Sequence, residues 1–243
     1  MSLAAQANWK TTRIKAGRFQ LLALHPKPQN SPVLAIFIEG DGLAWLDAFT
    51  PSADPTPVDP LALRLALIEP HLPSAYLARP CQFNPAPEHQ QCRVDDWTQA
   101  RFSPEIISAM NQGLSNLKQL FGAQRLVLIG YSGGGAIAAL LAARRDDVNL
   151  LVTVAAVLDH AVWTRQHQIS PLLGSLNPAD DWSALQNIQQ IHLTGEQDQL
   201  TGISAIQPYI ERFSESKRPT VKQVPSFTHA CCWTKDWTRL SPL

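Results

Sequence analysis

The sequence predicts an α/β domain, a mostly parallel sheet of about eight strands with helices on both faces. Three observations carry that expectation. Short continuous apolar runs, such as Val33 to Ile38 and Leu126 to Ile129, alternate with segments of helical period. Continuous rather than alternating apolar runs suit strands buried on both faces. Helix start signals, Asp59-Pro60 and Ser103-Pro104, stand ahead of the helical segments.

Taken in order, Thr12 to Lys15 and Phe19 to Leu24 read as a hairpin turned at Ala16-Gly17. Val33 to Ile38 is a buried strand. Asp59 is the expected N-cap of a helix that begins with Pro60, runs towards Ile68 and stops before Pro70. Ala75 to Ala78 is a brief strand. After Ser103-Pro104, Ile107, Met110, Leu114, Leu117 and Phe121 recur at steps of three and four, with Gly122 as the stop. That stripe is core packing. Leu126 to Ile129 is a strand leading into a glycine-rich turn, followed by a small-residue helix over Ala136 to Ala143. Leu150 to Val157, Gln190 to Leu193 and Thr220 to Val224 complete the strands, and Ile203 to Phe213 is the last helix read. Residues 159–187 carry tryptophans and are long for a simple crossover, so they are expected to cap the site.

With 243 residues, 45% of them apolar, the chain can bury one large core. No linker, charge block or internal repeat divides it, so residues 1–243 are expected to form one domain. Charged residues make up 16% and the formal net charge is zero, without the basic excess of a nucleic-acid binder. The longest apolar runs, Ala136 to Ala143 and Leu150 to Leu158, are far too short to span a membrane. Met1 to Gln6 lack the basic and apolar stretches of a secretory signal, which fits a cytosolic protein or the mature part of an exported one. Cys81 and Cys92 bracket a loop rich in Pro, Gln and Asn, and both a bridge and free thiols suit them. Cys231 and Cys232 are adjacent. No Cys/His cluster has zinc-ligand spacing, so neither a structural metal nor a cofactor is expected.

The chemistry lies in Gly130-Tyr131-Ser132-Gly133-Gly134. G-x-S-x-G is weak by itself, but here it joins an apolar strand to an Ala-rich helix, as a nucleophile elbow requires. The glycines remove Cβ atoms that would clash as the chain turns sharply. Ser132 would stand exposed above the sheet, at a helix N-terminus that favours developing negative charge. Nothing matches the phosphate-binding patterns G-x-x-x-x-G-K-[ST] or G-x-G-x-x-G.

A serine hydroxyl needs a base, and an elbow of this kind takes its partners in the order serine, acid, histidine. His229 follows the final strand and is the expected base. His160, His167 and His192 all precede the best acid, Asp198, which lies just past the penultimate strand. Asp159, past the strand after the elbow, is the rival acid. The N–H of Gly133 is one expected oxyanion donor. The other should come from Glu39-Gly40-Asp41-Gly42 after the Val33 to Ile38 strand, with Asp41 preferred and Gly42 the alternative. Trp45, Tyr131, His160, Trp163 and Trp233 fall in loops at the carboxyl edge of the sheet and are candidates for an aromatic substrate pocket.

These residues resemble the α/β-hydrolase superfamily over nearly the whole chain. Ile38-Glu39-Gly40-Asp41-Gly42, Tyr76-Leu77-Ala78-Arg79-Pro80-Cys81-Gln82 and the Gly130 to Gly135 turn are similar to a narrower group of bacterial hydrolases. Leu158-Asp159-His160, and His229 followed closely by Trp233, fit that group too. Glu39 stands where the superfamily usually has histidine, and a carboxylate beside an oxyanion must point away. The resemblance implies the Ser132, Asp198 and His229 triad. It also implies an extracytoplasmic home, because members of the group often carry an export or lipoprotein leader. The expected activity is hydrolysis of a small-molecule carboxylic ester through an acyl-enzyme, with thioesters and peptides open to the same machinery. The alternative is a catalytically silent member of the fold that binds a ligand or protein.

Overall fold

The computed structural model describes residues 2–84 and 91–243. Among them, eight strands form one sheet: β1 (Lys10–Ala16), β2 (Phe19–His25), β3 (Val33–Ile38), β4 (Ser74–Leu77), β5 (Arg125–Tyr131), β6 (Val148–Val154), β7 (Gln189–Gly195) and β8 (Thr220–Val224). Their order is β1-β2-β4-β3-β5-β6-β7-β8. β2 runs antiparallel to β1 and β4, and every other neighbouring pair is parallel. The expected architecture is present, with helices α1 (Ser2–Gln6), α2 (Leu61–Leu67), α3 (Pro104–Leu120), α4 (Gly133–Ala142), α5 (His160–Gln166), α6 (Trp182–Leu185), α7 (Ile203–Ile210) and α8 (Trp233–Leu240) around it.

Side-chain alternation in β3 separates the two halves of the core. Leu34, Ile36 and Ile38 face the layer of α3 and α4, packing with Met110, Leu114 and Leu117. Ala35 and Phe37 face α2 and α8, packing with Leu65 and Trp237. The α3 stripe is buried at Ile107, Met110, Leu114 and Leu117 as its period requires. Ser103 caps α3 by accepting from the Ile106 N–H, Pro104 opens it, and Gly122 follows its end at φ +59°.

Several boundaries differ from expectation for local reasons. β6 ends at Val154 rather than Val157, because Ala155 turns to φ +49° after a last N–H bond to the Leu193 carbonyl of β7. α4 starts at Gly133 directly after the serine, so the glycines belong to the helix rather than to a loop before it. α7 ends at Ile210, three residues short of Phe213. Asp59 is not the cap of α2. Pro60 occupies that position without a side-chain bond, and Asp59 pairs with Arg64 at 2.8 Å. The capping oxygen comes instead from Glu39, whose Oε1 accepts from the Ala62 N–H at 3.4 Å.

Segment 159–187 contains α5, a short 3-10 turn at Pro178–Asp181 and α6. His160, Thr164, Asn177, Ala179 and Leu185 bury it against the body of the sheet. Cys81 and Cys92 form a disulfide with Cα atoms 5.9 Å apart, and residues 85–90 of their loop lie outside the described residues. Cys231 and Cys232 are bonded to each other, a pairing that the sequence analysis did not include. No helix among the described residues is long and apolar enough to cross a membrane.

Candidate active site

Ser132 joins β5 to α4 with φ +51° and ψ −124°, a region that side-chain-bearing residues rarely adopt. The strain is held from both sides. The Ser132 N–H donates to the Val154 carbonyl at 2.9 Å, and its own carbonyl accepts from Gly135 at 2.9 Å. Gly134 is required because a Cβ there would collide with the carbonyl oxygens of Ile38 and Glu39. The end of β3 can therefore pass directly beneath the first turn of α4.

The three residues expected to act together converge. His229 Nε2 lies 3.1 Å from Ser132 Oγ, and His229 Nδ1 lies 3.1 Å from Asp198 Oδ2. Asp198 accepts further bonds at Oδ1 from the N–H groups of Leu200 and Thr201 at 2.8 and 2.9 Å. The Thr201 hydroxyl sits 2.7 Å from Asp198 Oδ2 and 3.0 Å from His229 Nδ1. Burial alone would push the Asp198 carboxyl up, but the bonds from His229 and Thr201 outweigh it and hold the group down to about 2. The Gln197 N–H also donates to the Phe227 carbonyl at 2.8 Å, tying the Asp198 turn to the His229 loop.

Asp159, the rival acid, serves elsewhere. Its Oδ1 caps α5 through the Val162 N–H and accepts from Asn177, both at 3.1 Å, and its Oδ2 accepts from Arg212 at 3.0 Å. It anchors segment 159–187 to Arg212, just past the end of α7. His160 is buried with its Nε2 3.1 Å from the Leu176 carbonyl, in the same anchor and away from the serine. Trp233 is also not on the pocket surface. Its fully buried indole packs on Phe227 and donates to the carbonyls of Thr228 and His229 at 3.2 and 3.0 Å. Tyr131 does line the cavity around Ser132, and its hydroxyl donates to the same His229 carbonyl at 3.4 Å.

The loop after β3 is held by charges far away in sequence. The Asp41 carboxylate pairs with Arg79 and Arg101 and lies against Gly133, where a Cβ would displace it. Arg79 also donates to the Arg101 carbonyl at 2.9 Å, and Gln82 donates to the Gly40 carbonyl at 2.9 Å. Burial would raise the Asp41 carboxyl, yet the two guanidiniums keep it at about 2. Glu39 turns down beneath the loop, accepting from the Gly40 N–H at 3.0 Å. Its burial pushes its carboxyl up to about 7, partly offset by the N–H groups of Gly40 and Ala62 and by the neighbouring Tyr76 hydroxyl. The carboxylate that stands in for the usual histidine is thus buried and shielded from the serine by the backbone. Gly133 is the first residue of α4, so its N–H has no partner within the helix and remains free to face a ligand.

Two cavities open beside these residues. One of about 360 Å³ is lined by Ser132, His229, Tyr131, Leu43 and Pro57, with Glu39, Asp41 and Asp59 at its edge. The other, about 640 Å³, contains Trp45 and Trp163. Thr201, Arg79 and Arg101 were missed in the sequence. Thr201 had a visible signal, because Asp-x-x-Thr lets a carboxylate bond its own turn. Arg79 lay in the Tyr76 to Gln82 motif without a role assigned to it, and Arg101 had no signal.

No family model matches the sequence, and no curated protein matches it. Solved structures do match. Est1E from Butyrivibrio proteoclasticus is 14% identical with TM-score 0.63 and covers 95% of each chain. The esterase Pf2001 from Pyrococcus furiosus is 12% identical with TM-score 0.64, over 96% of this chain and 87% of its own. XC6422 from Xanthomonas campestris, described as an α/β serine hydrolase without a lid, is 15% identical with TM-score 0.56, over 91% and 86%. The chain has the α/β-hydrolase fold.

Proposed function

We propose that this chain is a serine hydrolase that cleaves a carboxylic ester through an acyl-enzyme on Ser132. The observation that carries the reading is the unbroken line from Ser132 Oγ through the His229 ring to Asp198 Oδ2, each contact at 3.1 Å. In that line His229 Nε2 takes the serine proton as Oγ attacks the carbonyl carbon, and later gives it to the departing alkoxide. Asp198 orients the ring and stabilises its charged form. The N–H groups of Gly133 and Asp41 receive the oxyanion, each worth about 3 kcal/mol of barrier by analogy with a measured donor. Water activated by the same histidine then releases the acid. No cofactor enters these steps. The neighbours described as esterases and serine hydrolases support the same reaction class.

The Cys81–Cys92 disulfide, together with the second bonded pair at Cys231 and Cys232, supports an oxidising, extracytoplasmic home. Thiol titration of the protein isolated from its native compartment under alkylating conditions tests this, and four free thiols would refute it.

The experiment that tests the function is labelling with a fluorophosphonate followed by mass spectrometry. The proposal expects one adduct on Ser132 in the wild type and none in Ser132→Ala. A folded wild-type protein that neither labels nor hydrolyses any acyl ester would instead be a silent binding module.

A further inference from the structure

The 640 Å³ cavity is a groove between the loop at residues 45–51 and segment 159–187. Trp45, Pro51, Val94, Trp163, Ile169 and Leu172 are among its apolar lining, beside the polar Thr98, Gln99 and Ser170. Both ends of that wall are bonded to the candidate active site. At one end, Arg101 lines the groove and pairs with Asp41, whose carboxylate lies against Gly133. The Asp41 carboxylate, held by Arg101 and Arg79, thus links the residue after the serine to the groove. At the other end, the Trp163 indole donates to the Leu200 carbonyl at 2.8 Å, two residues past Asp198.

Resting on the serine-hydrolase reading, we infer that this groove takes the acyl group of the substrate, that this group is bulky and apolar or aryl, and that the alcohol is compact. His229 must return its proton to the oxygen of the leaving group, so the alcohol lies beside His229. His229 lines the smaller cavity and not the groove. That cavity has about 360 Å³ and is the smaller of the two, which suits the more compact half of the ester. With the carbonyl oxygen held at Gly133 and Asp41, the remaining substituent leaves on the side away from His229. It passes the Asp41–Arg101 pair and enters the groove. Two indoles and the aliphatic side chains there offer apolar contact along its length, with charge confined to Arg101 at the inner end and Asp47 and Asp95 at the rim.

The test is a matched series of esters in which the same carbons are placed on either side. Methyl esters of acetate, butyrate, octanoate and 3-phenylpropionate are compared with acetate esters of butanol and octanol. The inference expects kcat/KM to rise by about tenfold or more from methyl acetate to methyl 3-phenylpropionate, the scale on which apolar pockets discriminate. Moving the carbons to the alcohol should give no such rise. Trp163→Ala, and the half-exposed Ile169→Glu as a second variant that leaves the core intact, should each erase most of the rise. A flat acyl series, a preference for long alcohols, or an unchanged acyl ratio in both variants overturns it.

A binding measurement separates this failure from failure of the underlying reaction. Calorimetric titration of methyl 3-phenylpropionate into Ser132→Ala requires no turnover. Binding weakened about tenfold by adding Ile169→Glu supports the groove. Equal binding to both proteins, or none to either, overturns it, whatever the esterase assays show.

Discussion

The indole N–H of Trp233 donates to the main-chain carbonyl of His229 at 3.0 Å, so the proposed base is held through its backbone by a buried side chain of the last helix. The Tyr131 hydroxyl meets the same carbonyl from the cavity side. Trp233→Phe keeps an aromatic ring on Phe227 but removes the nearer donor. We expect kcat to fall by about tenfold to a hundredfold with KM little changed, because a small displacement of the base costs rate rather than binding. Steady-state kinetics on protein with wild-type circular dichroism checks this.

Thr201 orders Asp198 and His229 together. Thr201→Val removes the hydroxyl 2.7 Å from Asp198 Oδ2 and leaves the backbone bonds to Oδ1 in place. Turnover should drop by about tenfold, the scale of one hydrogen bond, and Thr201→Ser should restore it. Equal losses in both variants would point to packing instead.

Glu39 gives a pH signature in stability. Burial raises its folded value to about 7 from the ordinary carboxyl value of 4.5. A carboxyl shifted upwards favours the folded state fully below its unfolded value, and that advantage is lost as pH rises towards its folded value. The loss is on the order of 3 kcal/mol between about pH 4.5 and 7. Glu39→Gln can keep the bond to Gly40 and also donate to the Tyr76 hydroxyl. Urea unfolding should show the variant gaining on the wild type from pH 5 to pH 8. Parallel curves for the two proteins would remove the assignment.

The Cys81–Cys92 bridge closes a short loop just after Arg79, so it should stabilise the protein by roughly 2–3 kcal/mol. The Cys81→Ser, Cys92→Ser double variant should unfold at correspondingly lower denaturant. Denaturation followed without reductant measures it.

Much of this site was legible in the sequence because its chemistry is local. A strand, a glycine-flanked serine and a small-residue helix are consecutive, and the order of Asp198 and His229 follows from the order of strands. What escaped was contributed across the fold. Glu39 caps a helix that begins 22 residues later, and Asp41 is neutralised by Arg79 and Arg101, so neither pattern has a fixed spacing. Trp233 and His160 sit at the right edge of the sheet but point into packing, a distinction that sequence position does not make. The Asn177, Val162 and Arg212 bonds occupy the Asp159 carboxylate, which favours Asp198 as the proposed acid.

The central claim is that Ser132 and His229 act as one unit, with Asp198 behind them. The most direct measurement is turnover of one ester by Ser132→Ala, His229→Ala and the double variant, each shown to be folded. The account predicts that each single change lowers kcat by several orders of magnitude and that the double variant is scarcely worse than either. Near-normal turnover in either single variant, or losses that multiply in the double variant, would contradict it.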